Sequence, residues 1–198
     1  MAFNVAVLAS HFGTNLQALI TAARESSSGF GVALVISNNS GSGALAHARD
    51  AGIAALHMSG QTHPDTDALD QHMLTALRRH DIELLVTAGY MKKLGPAVLS
   101  AYKGRAINIH PSLLPRHGGP GMYGRFVHEA VLASGDTVSG ATVHEVTADY
   151  DEGPIIAQRQ VPVLPEDNPE DLAARVLPVE HALLAATVRV LARASVSG

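Results

Sequence analysis

Apolar positions along the chain fall into short dense runs, separated by stretches in which they recur at helical spacing. The dense runs predict strands at Phe3–Ala9, Phe30–Ser37, Ile53–His57, Leu84–Ala88 and Ala106–His110, with helices between them. Near-continuous apolarity within each run predicts burial on both faces, as in a parallel sheet covered by helices. Past Pro120 the rhythm changes. A helix near Gly124–Ala133 leads into two further runs, Val138–Val146 and Pro154–Val163, whose polar connection allows antiparallel pairing. A closing helix is expected from Pro169 to about Arg193, with Asn168 as N-cap, Pro169 at its first position and Glu170 and Asp171 in its first turn. Pro178 is expected to kink this helix or divide it in two. The expected fold is therefore α/β: a doubly wound, mostly parallel sheet with helices on both faces and an antiparallel C-terminal strand pair.

Composition narrows the picture. The 198 residues suffice to bury a core without staples, and no repeat, low-complexity tract or linker divides 1–198, read as a single domain. The chain has no cysteine, which removes disulfides, thiolate catalysis and cysteine-based zinc sites from consideration. A net charge of −4 gives no electrostatic footprint for nucleic acid, and no apolar stretch has the length of a membrane span. The start, Met1 to Ser10, lacks a basic segment and reads as a buried strand rather than a signal peptide, so the expected address is the cytoplasm.

Chemistry concentrates in three places. In Ala106-Ile107-Asn108-Ile109-His110-Pro111, strand alternation puts Asn108 and His110 on one face, about 7 Å apart, and Pro111 ends the strand. Polar groups at the carboxyl end of a strand lie where open α/β sheets keep their sites. The segment Ser10-His11-Phe12-Gly13-Thr14-Asn15 joins the first strand to the first helix; Gly13 allows an unusual turn, Thr14 or Asn15 is a candidate cap, and free N–H groups there suit a phosphate. The acidic loop Thr147-Ala148-Asp149-Tyr150-Asp151-Glu152-Gly153-Pro154 can supply a carboxylate to orient His110 and raise its pKa. Gly41-Ser42-Gly43-Ala44-Leu45-Ala46 matches a dinucleotide pattern but lacks the acidic residue after the next strand, so it is read as a loop and helix start. The histidines show no recognised metal-ligand spacing, and no metal is expected.

Together these segments resemble the glycinamide ribonucleotide formyltransferases, folate-dependent enzymes of purine synthesis, from Phe3 to about Leu191. The resemblance is carried by Asn108-x-His110-Pro111-Ser112-Leu113-Leu114-Pro115, Asp151-x-Gly153-Pro154, Gly13-Thr14-Asn15-Leu16-Gln17 and Glu180-His181. It implies a catalytic set of Asn108, His110 and Asp151. It implies that Gly13, Thr14 and Asn15 hold the substrate phosphate and Glu180 the ribose. Met91, Lys92, Lys93 and Leu94 would line the folate pocket, with Asn108 and Thr147, Ala148, Asp149, Tyr150 and Asp151. The implied reaction moves the formyl group of 10-formyltetrahydrofolate, a co-substrate, to the amine of 5′-phosphoribosylglycinamide in de novo IMP synthesis. The implied partners are these small molecules alone, with no metal, nucleic acid or membrane, and a homodimer is allowed.

In that scheme the Asn108 amide and a protonated His110 donate to the oxygen of the tetrahedral intermediate, while Asp151 keeps the imidazole charged and aligned. The chain departs from the family pattern at His11, where a glycine is usual, at Lys92, where an arginine is usual, near Thr66, where some members carry an arginine, and in Arg116–Gly124. The alternatives are another folate formyltransferase, a formyltetrahydrofolate hydrolase, or a non-catalytic nucleotide-binding module. The tRNA-directed and hydrolytic relatives carry extra domains that 198 residues do not hold.

Overall fold

The computed structural model describes residues 3–196; Met1 and Ala2, the start of the segment weighed as a signal peptide, lie outside them. Seven strands form one sheet: β1 (Phe3–Leu8), β2 (Phe30–Ser37), β3 (Ala54–His57), β4 (Leu84–Thr87), β5 (Ala106–His110), β6 (Val138–Glu145) and β7 (Ile155–Pro162). Their spatial order is β3-β2-β1-β4-β5-β6-β7. The first five run parallel, and β6 and β7 pair antiparallel at one edge. The helices are α1 (Thr14–Ala23), α2 (Gly43–Asp50), α3 (Thr66–Arg79), α4 (Pro96–Ala101), α5 (Arg125–Ala133) and α6 (Pro169–Val196). Strand positions follow the sequence reading to within a residue, and α6 runs three residues past the expected Arg193.

The dense strands are buried on both faces because each faces a helical layer. On β1, Val5 and Val7 join Leu16 and Leu19 of α1 and Leu184 and Val188 of α6, while Ala6 and Leu8 join Leu74 and Leu77 of α3 and Val98 of α4. Alternation along the strand thus divides one apolar run between two cores.

Of the two outcomes expected at Pro178, division does not occur: α6 runs as one helix from Pro169 to Val196. The proline is exposed, so its missing donor lies on the solvent side, while Val176, Leu183 and Leu184 keep the opposite face buried. At its start, Asn168 Oδ1 accepts from Asp171 N (2.9 Å) and Asp171 Oδ2 accepts from Asn168 N (3.2 Å), a reciprocal cap.

Helix α4 is too short to stand alone and is capped from outside. Asp70, buried on α3, accepts from Ala97 N (2.7 Å) and Val98 N (3.1 Å). Asp70→Ala removes an N-terminal anion and leaves two donors without partners, and should cost about 1–3 kcal/mol. Urea unfolding measures this; a midpoint equal to that of the unaltered protein would show the cap to be dispensable.

Candidate active site

The strand order reverses between β1 and β4, so the loops leaving their carboxyl ends part and open a crevice. A cavity of about 740 Å³ lies there. Its floor is the end of β4 and β5, and its walls are the turn before α1, the segment after β4, the stretch 119–125, the acidic loop after β6 and one side of α6. Each residue of the implied catalytic and binding sets lines this cavity: Gly13, Thr14 and Asn15 in one region, Met91 to Leu94 and Thr147 to Tyr150 in another, with Asn108, His110, Asp151 and Glu180.

Alternation on β5 sends Ile107 and Ile109 into the core and leaves Asn108 and His110 facing the cavity. The buried His110 ring is held at both nitrogens. Nε2 donates to the His117 carbonyl (2.8 Å), and Nδ1 lies 3.6 Å from Asp151 Oδ2. That carboxylate oxygen accepts from Gly119 N (2.9 Å), while Oδ1 is 3.4 Å from Nε2 of His144 on β6. His117 and Asp151 both adopt left-handed backbone conformations, with φ of 55° and 58°. The His117 ring is anchored in turn by Asp136 Oδ2 (2.7 Å).

Asn108 sits in a chain of hydrogen bonds running across three strands. His144 Nδ1 donates to the Glu145 carbonyl (2.8 Å), Asn108 Nδ2 meets His144 Nε2 (3.0 Å), and Thr87 Oγ1 meets Asn108 Oδ1 (2.8 Å). The pairing that makes this possible is Thr87 beside Asn108 on β4 and β5, and Asn108 opposite His144 on β5 and β6.

Electrostatics correct one expectation. Burial pulls the His110 pKa below its ordinary value and outweighs the opposing pull of Asp151 and of the His117 carbonyl. The ring is therefore neutral at pH 7, with its proton on Nε2 and the Nδ1 lone pair toward Asp151, rather than the imidazolium expected from the sequence. For Asp151, burial opposes ionisation, but contacts from His144, His110 and Gly119 N–H win and hold its pKa below the usual value. Nearby, burial and then repulsion from His110 depress His128, whose Nδ1 has no partner.

At the other end of the cavity, α1 begins after Gly13, which takes a left-handed conformation (φ 76°) and offers no side-chain cap. Neither Thr14 nor Asn15 caps the helix, contrary to expectation; they occupy its first turn, and Asn15 Nδ2 instead donates to Glu180 Oε2 (3.0 Å). Glu180 is buried, which raises its pKa against that hydrogen bond. The Gly13 turn rests on α2, where Ala44 N donates to the His11 carbonyl (3.2 Å) and Ser42 caps the helix from its side chain. The Gly41–Ala46 segment is thus a loop and helix start that supports this turn. Lys93 spans the mouth of the cavity, with Nζ donating to the Ala148 carbonyl (2.7 Å) and lying 4.9 Å above the Tyr150 ring.

Sequence reasoning gave no role to His144, Thr87, His128 or the stretch Gly119–Arg125, all of which line the cavity. His144 carried a signal: it shares a strand face with Thr142, two polar positions flanking Val143, as Asn108 and His110 flank Ile109. Among the described residues no cluster of histidine and acidic side chains is arranged to hold a metal, and no helix is long and apolar enough to cross a membrane.

A doubly wound sheet with an amide, an imidazole and a carboxylate converging at its switch-point crevice has the layout of a small-molecule site. A profile of the formyl transferase family matches residues 3–188, and the chain belongs to that family. It is 39% identical over 180 residues to a phosphoribosylglycinamide formyltransferase of Escherichia coli, covering 91% of this chain and 82% of that one. It is 38% identical over 187 residues to a chloroplastic phosphoribosylglycinamide formyltransferase of Vigna unguiculata, covering 94% of this chain but only 60% of that protein's length. The crystal structure of glycinamide ribonucleotide transformylase 1 from Symbiobacterium toebii superimposes with a TM-score of 0.90 at 40% identity, covering 98% of this chain and 89% of that one.

Proposed function

We propose that this protein transfers the formyl group of 10-formyltetrahydrofolate to the amine of 5′-phosphoribosylglycinamide, as a step of IMP synthesis in the cytoplasm. The observation that carries the reading is the convergence of Asn108, His110 and Asp151 midway along a cavity with two unlike ends. One end offers the uncapped N-terminus of α1, whose free N–H groups and dipole suit a phosphate, with Glu180 beside it for ribose hydroxyls. The other is walled by Met91, Leu94, Val146 and Tyr150, with Lys92 and Lys93 at hand, which suits an aromatic heterocycle carrying a carboxylate tail. The cavity volume of about 740 Å³ lies within the range of small-molecule sites.

The chemistry needs a hydrogen-bond donor at the formyl oxygen and an acceptor for the amine's proton. Asn108 Nδ2 has one hydrogen on His144 and a second free for that oxygen. Neutral His110 presents the Nδ1 lone pair, takes the proton as the new C–N bond forms, and becomes an imidazolium beside ionised Asp151. The bond from the formyl carbon to the folate nitrogen then breaks as the His110 imidazolium gives its proton to that nitrogen, which restores the neutral ring. No covalent intermediate with the protein is involved.

The deciding assay follows formyl transfer to the ribonucleotide and folate hydrolysis in parallel. Transfer that depends on the ribonucleotide supports the reading. Formate released equally fast without it would make the protein a hydrolase.

The phosphate end has its own test. A side chain at Gly13 would be left-handed and its Cβ would lie 2.8 Å from Ala44 Cα, so the turn must shift. Gly13→Ala should raise the KM for the ribonucleotide about tenfold, matching the ~1–2 kcal/mol of left-handed strain, with the folate KM nearly unchanged. Equal rises for both substrates would place the phosphate elsewhere.

A further inference from the structure

The Asn108 carboxamide can serve the formyl oxygen only if its nitrogen, not its oxygen, points at the reaction. Something must set that choice. His144 commits Nδ1–H to the Glu145 carbonyl (2.8 Å), because a carbonyl can only accept. Its Nε2 lies 3.0 Å from Asn108 Nδ2 and 3.4 Å from Asp151 Oδ1, and toward an amide nitrogen, which can only donate, it accepts. Asn108 presents Nδ2 there, and its Oδ1 is thereby directed at Thr87. The Thr87 hydroxyl has a single proton and two acceptors within reach: Asn108 Oδ1 at 2.8 Å and the Ile107 carbonyl at 3.3 Å. The shorter contact takes the proton. With the amide reversed, Oδ1 would replace Nδ2 beside His144 Nε2, and the Thr87 hydroxyl would lose its acceptor on Asn108.

We infer that the Thr87 hydroxyl is a positioning group for Asn108, fixing the end of the carboxamide that faces the reaction; the inference rests on the function proposed above. Thr87 is buried on β4, directly beside Asn108 in the sheet, and its side chain points to the same face. An apolar residue of the same shape would complete the strand equally well, so the hydroxyl adds something that packing does not require. Removing it leaves Oδ1 without a partner on that side, and the amide is free to turn its acceptor toward the growing negative charge.

Thr87→Val is nearly isosteric and keeps a strand-forming side chain. The kcat is expected to fall roughly ten- to a hundredfold, short of the hundred- to thousandfold cost of deleting an oxyanion donor outright. The KM values for both substrates should stay within about twofold, because neither the phosphate turn nor the folate wall is touched. Thr87→Ser, which restores the hydroxyl, should recover most of the rate. In an Asn108→Ala background the valine substitution should cost less than about twofold, since the group it orients is gone. An unchanged kcat in Thr87→Val overturns the inference, as does an equal loss with and without Asn108.

A readout independent of turnover is the side-chain amide of Asn108 in ¹⁵N-labelled protein, identified by its absence from Asn108→Ala. Its two proton resonances should move and exchange faster with water in Thr87→Val, and return in Thr87→Ser. If the unaltered protein transfers no formyl group, the proposed function falls and these resonances decide the clamp alone. Resonances that do not move overturn it.

Discussion

Asp151→Asn is expected to lower kcat by on the order of a hundredfold and to displace the acidic limb of its pH profile. Asparagine tolerates the left-handed backbone at this position (φ 58°), so the substitution tests charge rather than conformation. In the folded protein burial depresses the His110 pKa and Asp151 opposes that depression. Removing the carboxylate charge leaves burial opposed only by the His117 carbonyl, and the pKa falls further. A base must be neutral to act, so activity in the unaltered protein is lost as pH falls through the depressed pKa. In the variant that loss occurs at lower pH still, while the maximum rate drops because the imidazolium formed in the reaction has lost its counter-charge. Measured kcat profiles from pH 5 to 9 check both effects. A shift of the alkaline limb instead would restore the imidazolium as the working form, and superimposable profiles would uncouple the two residues.

The second large effect concerns Gly153, in the acidic loop. A Cβ there would lie 1.9 Å from the Glu145 carbonyl oxygen and 2.7 Å from its carbon, both backbone atoms that cannot step aside. The same carbonyl receives the His144 proton, and Glu145 N donates to the Pro154 carbonyl (2.9 Å), closing the base of the β6–β7 hairpin. Gly153→Ala should therefore destabilise the protein by about 2–4 kcal/mol, toward the upper end of overpacking costs. For a chain of this size that corresponds to a Tm lower by roughly 5–10 °C. Activity should fall as well, because His144 loses its acceptor and Asp151 its support. Urea and thermal unfolding measure the first effect; a change below about 0.5 kcal/mol would mean that the hairpin base yields more readily than its geometry allows.

What the sequence made legible is what local patterning controls. The strands of the parallel half are dense apolar runs because they are buried twice, and that density is visible without coordinates. Asn108 and His110 were readable for a related reason: two polar side chains on one face of a strand closed by proline stand out against isoleucines. Thr87 did not stand out, since threonine is an ordinary strand residue and its partner lies on a neighbouring strand. His144 required the register of β5 against β6, a non-local pairing. The charge of His110 was misjudged because a nearby carboxylate is visible in sequence while burial is not. Pro178 does not divide α6, because a helix tolerates proline where the lost hydrogen bond faces water.

Both contacts that fix the His110 ring come from residues with left-handed backbones: the His117 carbonyl and the Asp151 carboxylate. Such conformations are disfavoured for residues with a side chain by about 1–2 kcal/mol each, less for aspartate. Glycine would relax the backbone at both turns, at the loss of the side chain that anchors one turn to Asp136 and of the carboxylate that the other delivers. Backbone preference and activity therefore pull in opposite directions at these two positions. Residues chosen for backbone preference alone would be glycine there and lose the reaction.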